Sequence, residues 1–159
     1  DTIQNQARIA DNWIFLSDGV AASEQTDHDG ASTVARFFEP GDFCANLTSV
    51  WTRDVASDDL VALTDVVGIA IPDDVFRREY LEGGFFGTCL RLKMMNAHLF
   101  AKELICAKTS SQTETRYRFL EQNHQRVIGS VQQKDIARFL GMTPQGLSRF
   151  LRSRKTGGS

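Results

Sequence analysis

The spacing of apolar positions changes character partway along the chain. In the first seventy-odd residues they come in short β-branched and aromatic runs, each stopped by turn residues. WIFLSDGV (13–20) ends in Asp-Gly, and TDHDGAS (26–32) carries Asp29-Gly30, a hairpin-turn dipeptide. STVARFFEPGDF (32–43) contains Pro40-Gly41, and LVALTD (60–65) and VVGIAIP (66–72) follow, stopped by Pro72. Short strands at close spacing predict an antiparallel β-roll or barrel. No internal repeat or low-complexity segment is present.

Beyond residue 72 the pattern is helical. DDVFRREYL (73–81) predicts a short helix with Asp73 or Asp74 near its N-terminus. After Gly83-Gly84, residues 85–108 run without proline, and Phe85, Phe86, Cys89, Leu90, Leu92, Met94, Met95, Ala97, Leu99, Phe100, Leu104 and Ile105 cover far more than one stripe. A helix apolar on two faces needs two partners. The roll supplies one, and the same helix of a second copy is the expected other. Residues 110–123 predict a further helix opened by Ser and Thr caps.

The segment VQQKDIARFLGMTPQGLSRFLRSRK (131–155) carries the most specific signals. Ile136, Ala137 and Leu140 form the inward side of one helix, with Ala137 small enough for a second helix to cross closely. Gly141 tolerates a left-handed turn, and Met142 plugs the core beside it. Thr143 then caps a second helix whose first position, Pro144, needs no N–H donor. Leu147 and either Phe150 or Leu151 face inward, which leaves Gln145, Ser148, Arg149 and Arg152 outside. This is the pattern of a DNA-reading helix-turn-helix. Gln pairs with adenine, Arg with the acceptor edge of guanine, and Ser is permissive. Thr143, Lys134, Arg138, Arg152, Arg154 and Lys155 are candidates for phosphate contacts, which raise affinity without reading sequence.

Charge supports the division. The 159 residues carry a net charge of −2, yet residues 1–115 hold 9 Lys and Arg against 18 Asp and Glu, a net −9. Residues 116–159 hold 9 against 2, a net +7. An acidic body with a basic end suits a polyanion partner. Cys44, Cys89 and Cys106 are widely spaced and odd in number, so they predict buried small hydrophobes rather than disulfides or a Cys-rich metal site. The chain opens DTIQNQARIADN, with no basic start and no apolar run, so neither a signal peptide nor a membrane span is expected, and a cytoplasmic location fits. The sequon Asn46-Leu47-Thr48 is a chance match.

The pattern IARFLGMTPQGLSR resembles the DNA-binding signature of the Crp/Fnr family of bacterial transcription regulators. Upstream, WIFLSDGV, ARFFEPGDF and ALTDVVGIAIPDDVF are similar to that family's cyclic-nucleotide-binding-type roll, and residues 85–108 stand where it has its dimerisation helix. The resemblance implies an α+β protein whose roll is N-terminally incomplete, and whether residues precede Asp1 is left open. It implies an effector domain at 1–84, a dimerisation helix at 85–108, a DNA-binding domain at 112–155, a hinge at 107–113 and a tail at 156–159. Gln145, Ser148 and Arg149 would take the base-reading positions. The partners would be double-stranded DNA and a second copy, with RNA polymerase a further candidate. The effector pocket would involve Gly41, Asp42, Arg53 and Ser57.

The sequence departs from the family in the phosphate cassette. After Gly41-Asp42-Phe43 the segment has no Arg-x-Ala, and Asp58-Asp59 puts negative charge where a phosphate would sit. A cyclic nucleotide is therefore not expected, and the effector is left unidentified. The cysteine cluster of iron–sulfur members is absent, so no such cluster is expected. His28, His98 and His124 are the histidines available to a haem. The β-hairpin wing after the recognition helix is missing. No catalytic constellation stands out, so an enzyme is not expected. The alternative to a regulator is a ligand-binding or protein-interaction module whose helix-turn-helix only packs.

Overall fold

A computed structural model describes residues 1–27 and 29–156. His28 and the expected tail beyond Thr156 lie outside the described residues. The chain forms β1 (Thr2–Gln4), β2 (Asn12–Asp18), β3 (Ala21–Thr26), β4 (Ser32–Phe38) and β5 (Phe43–Cys44), then α1 (Leu47–Thr52), β6 (Asp59–Ala62) and β7 (Val67–Pro72). Helices α2 (Asp73–Glu82), α3 (Phe85–Lys108), α4 (Thr113–Asn123), α5 (Gln125–Ser130), α6 (Gln133–Leu140) and α7 (Pro144–Thr156) complete it. The protein is α+β, as read from the sequence.

The strands pair antiparallel in two sheets, ordered β1-β6-β3-β4 and β5-β2-β7. The Asp27–Gly30 turn joins β3 to β4, with Gly30 at φ +80° and the Asp27 carboxylate accepting from the N–H groups of Asp29 and Ala31. At Gly19 (φ +86°) a Cβ would lie 2.1 Å from the Asp65 carbonyl oxygen, so only glycine allows the chain to turn there. Short β1 escapes the sequence pattern, and so do two further elements in this half. Strand β3 reads AASEQT, too polar to stand out, and is held by pairing with both β4 and β6. Helix α1 is a single capped turn and a half, in which the buried Asn46 side chain accepts from the Ser49 N–H at 3.1 Å.

A buried carboxylate joins the roll to the helices. Asp73 is 2% exposed and accepts from Trp13 Nε1 (2.9 Å), Arg53 Nη2 (2.8 Å) and Arg77 Nε (2.7 Å). Trp13 stacks on Phe76 with centroids 3.9 Å apart, so the same residues fasten α2 to β2. Burial disfavours the Asp73 anion, but the bonds from Arg77 and Trp13 and the charges of Arg77 and Arg53 outweigh it and hold its carboxyl below the usual range.

Helix α3 is the long helix read at 85–108. It crosses the end of α2 at Gly87, where a Cβ would lie 2.3 Å from the Glu79 carbonyl oxygen. One face, through Leu90, Ala97, Phe100, Leu104 and Ala107, is turned inward, whereas Phe85, Leu92, Met95, Leu99 and Ile105 are exposed. Helix α4 corrects the expected Ser/Thr cap, because its N-cap is Gln112 and makes no side-chain bond. The cysteine reading is corrected too. Cys44 is buried, and burial pushes its thiol up to about 12, but Cys89 and Cys106 are exposed on the outer side of α3.

Asp73→Asn should lower stability by about 2 kcal/mol at pH 6–7, because two arginines lose their anion but still reach water. A carboxyl depressed on folding stabilises above its unfolded value near about 3.9 and loses that contribution as pH falls through the lower folded value. Urea denaturation should therefore show the gap to wild type closing below about pH 4.

Candidate nucleic-acid interface

The helix-turn-helix is built from local signals. Helix α6 buries Ile136, Ala137, Phe139 and Leu140 and stops at Gly141 (φ +65°), whose N–H returns to the last turn while the Met142 N–H reaches Ala137 O at 2.9 Å. Thr143 Oγ1 accepts from the Gly146 N–H at 3.1 Å, and Pro144 opens α7. Leu147 is fully buried, while Met142, Phe150 and Leu151 pack partly buried against the same core.

One open face of α7 collects Pro144, Gln145, Ser148, Arg149 and Arg152. Gln145 and Arg149 are exposed and Ser148 half-buried between them. Arg152 folds back toward Ser148, with Nη2 3.4 Å from its Oγ. Lys134 and Lys155 are exposed, and so is Thr143, whose hydroxyl serves the cap.

Two expected phosphate contacts are corrected. Arg138 turns inward and donates to both Glu24 carboxylate oxygens (3.0 and 2.8 Å), to Asp135 Oδ1 (3.0 Å), and to the carbonyl and hydroxyl of Ser32. These bonds raise its affinity for its proton, the Glu24 bonds most. Arg154 forks onto Glu121 (2.7 and 3.0 Å), reaches Glu114 (3.2 Å) and lies 4.8 Å from the Tyr117 ring centroid. Arg138 thus fastens α6 to the hairpin β3–β4, and Arg154 fastens α7 to α4. Both guanidiniums are thus engaged within the chain in this structure.

The junction of the two halves is continuous. Val20, Ala22, Val34 and Phe37 of the roll share one core with Leu120, Val127, Ala137 and Phe139. Phe37 and Phe139 have centroids 4.7 Å apart. At the end of α3, Lys108 donates to the carbonyls of Val34 (2.8 Å) and Ala35 (3.2 Å), and burial pushes its ammonium down to about 8. His124, buried where α4 meets α5, shares a 2.7 Å hydrogen bond with Glu39. Sequence reasoning missed these contacts, since Glu39 and His124 lie 85 positions apart and Glu24 and Arg138 lie 114 apart.

Residues 1–88 match the family model of the cyclic nucleotide-binding domain. The chain belongs to that family. No curated protein sequence matches it. FixK2 from Bradyrhizobium japonicum superposes with a TM-score of 0.80 at 18% identity, over 99% of this chain and 81% of that one. CLP of Xanthomonas campestris, a c-di-GMP-responsive global regulator, gives 0.71 at 12% identity, over 99% and 84%. A CRP-family transcriptional regulator from Thermus thermophilus gives 0.67 at 14%, over 99% and 82%. The Crp/Fnr resemblance therefore holds as fold along the whole chain. No helix among the described residues is long and apolar enough to cross a membrane.

The domain's own cavity, about 270 Å³ between the roll and α3, presents a carboxylate beside the Arg36 guanidinium, which does not suit a cyclic phosphodiester. Asp58 lines it and accepts from Asn46, Ser23 and Ser57, so a carboxylate faces the space where an anion would need donors. Arg53, the expected cation, is turned away onto Asp73. The four expected pocket residues are dispersed. Ser57 lines the roll cavity, Asp42 lines a different cleft outside it with Gly41 at its turn, and Arg53 lines neither. His98 is exposed, and no cluster of three potential metal ligands occurs among the described residues.

A double-mutant cycle of Arg138→Ala with Glu24→Ala, read by urea denaturation, should give a coupling of about 1–2 kcal/mol. A coupling below about 0.3 kcal/mol would rank the pair with ordinary exposed ion pairs.

Proposed function

We propose that the protein is a sequence-specific DNA-binding transcriptional regulator of the Crp/Fnr type. The observation that carries this reading is the open face of α7. Gln145, Ser148 and Arg149 project together from the N-terminal part of a capped helix, and Arg149 makes no ion pair among the described residues. The inward arginines Arg138 and Arg154 stiffen the scaffold, while Lys134, Arg152 and Lys155 remain for phosphates. The roll at 1–84 is the effector domain, α3 the dimerisation helix and 112–155 the DNA-binding domain, with signal transfer through the hinge at 107–113.

The homodimer reading rests on the outer face of α3. Phe85, Leu92 and Leu99 recur every seventh residue and are 87%, 52% and 54% exposed. A two-fold dimer through this seam would present two α7 helices to half-sites about one turn, roughly 34 Å, apart. Such a protein works in the cytoplasm.

Selection from a random duplex pool at near-physiological salt should enrich a palindrome with the wild-type protein. Arg149→Ala should lose discrimination at one position per half-site, by about 1–3 kcal/mol per contacted base pair. Equal enrichment by both proteins would remove Arg149 from the reading set, and none by either would favour the packing-only module. Leu99→Glu should convert a dimer to monomers in sedimentation at unchanged helix content, since the side chain already faces water.

A further inference from the structure

Arg36 is a half-buried cation that the protein does not pair. It leaves β4 toward α3, with its guanidinium carbon 4.9 Å from the Phe38 ring centroid and 5.5 Å from that of Phe100. Its Nε is buried with no hydrogen-bond partner, and it joins none of the ion pairs among the described residues. Burial lowers its affinity for its proton, and the Asp42 charge offsets this only in part. A guanidinium in such a place is unfavourable until an anion meets it.

The space beside it is a cleft of about 360 Å³ between the β4–β5 turn, α3 and the α4–α5 junction. Two acids line it, and both are already engaged. The Glu39 carboxylate is held by His124 Nδ1, and the Asp42 carboxylate accepts the Glu39 N–H at 3.0 Å. Lys93 enters from α3, its Nζ 3.7 Å from where a Cβ on Gly41 would stand, and it too joins no ion pair among the described residues. His124, 4% exposed, closes the far end with an unpartnered Nε2. Phe43, Met94 and Phe100 supply apolar wall. What the cleft leaves unsatisfied is therefore two cations and one imidazole nitrogen beside a hydrocarbon surface. Its volume is at the small end for ligand sites, which run about 300–1,000 Å³.

We propose that this cleft binds a small apolar carboxylic acid, with its carboxylate on Arg36 and Lys93 and its body against Phe43, Met94 and Phe100. The site adjoins the roll cavity lined by Asp58 and shares Arg36, Phe43 and Met94 with it. Its walls come from the roll, the long helix and, through His124, the α4–α5 junction, and the occupant's contacts tie the roll to the long helix. The binding itself needs no other premise; its use as a signal rests on the regulator reading.

The test uses the whole chain, with phenylacetate and octanoate as probes and 2-phenylethanol, inorganic phosphate and cyclic AMP as controls, followed by thermal unfolding and calorimetry. At least one acid should raise the Tm saturably, and the controls should not. Arg36→Met should abolish that rise and should itself raise the ligand-free Tm by about 2–4 °C, since the apolar stem stays and the unpaired charge goes. Lys93→Met, at an exposed position that the fold does not need, should weaken binding about tenfold. The proposal is overturned if neither acid shifts the Tm, if Arg36→Met responds like wild type, or if 2-phenylethanol, phosphate or cyclic AMP acts as well as the acids. Operator selection on the same samples separates the two readings. Failure of acid binding with intact selection removes only the site, and acid binding without selection removes only the regulator.

Discussion

The packing of α6 on β4 is the constraint on which the rest depends. Phe139 and Ala137 close against Phe37 and Val34, and Arg138 reaches across to Glu24 and Ser32. Because α6 is held, Gly141 and the cap at Thr143 fix where α7 begins, and the direction in which Gln145 and Arg149 point is set by the roll as much as by the helix-turn-helix. Positional precision in a reading helix comes from such rigid support, not from the helix alone.

Helix α3 divides two tasks between its faces. Leu90, Ala97 and Leu104 belong to the body of the protomer, and Leu92 and Leu99 look outward. At its end Lys108 gives its ammonium to two carbonyls of β4, so the last turn of α3 and the strand under α6 cannot shift independently. A displacement that carries the end of α3 and β4 together therefore reaches α6 without passing through a flexible linker. Arg36, on that strand and facing that helix, stands at the middle of this path.

What the sequence revealed follows the range of the interactions involved. The helix-turn-helix was legible because its signals are local: a left-handed glycine, a hydroxyl cap, a proline at the first position and an apolar set within twenty residues. The two-faced nature of α3 was legible from composition alone. Strand β3 was not, since nothing in AASEQT favours a strand until β4 and β6 pair with it. The basic residues were counted correctly but sorted wrongly. Arg138 and Arg154 look like surface cations in a basic segment, and only the fold brings Glu24 and Glu121 to them. The expected pocket residues were scattered for the same reason, as Arg53 found Asp73 and the half-buried, unpaired Arg36 carried no sequence signal at all.

The shared core also bears on modularity. Val20, Ala22 and Phe37 are covered by the C-terminal helices, and Leu120, Val127 and Phe139 by the roll. Neither half closes its own hydrophobic surface, so a chain divided near residue 112 would leave two adhesive fragments rather than two small domains. The unit that recombination can pass intact between such proteins is the pair, and a new reading head must arrive with an α6 that matches the β4 it lands on.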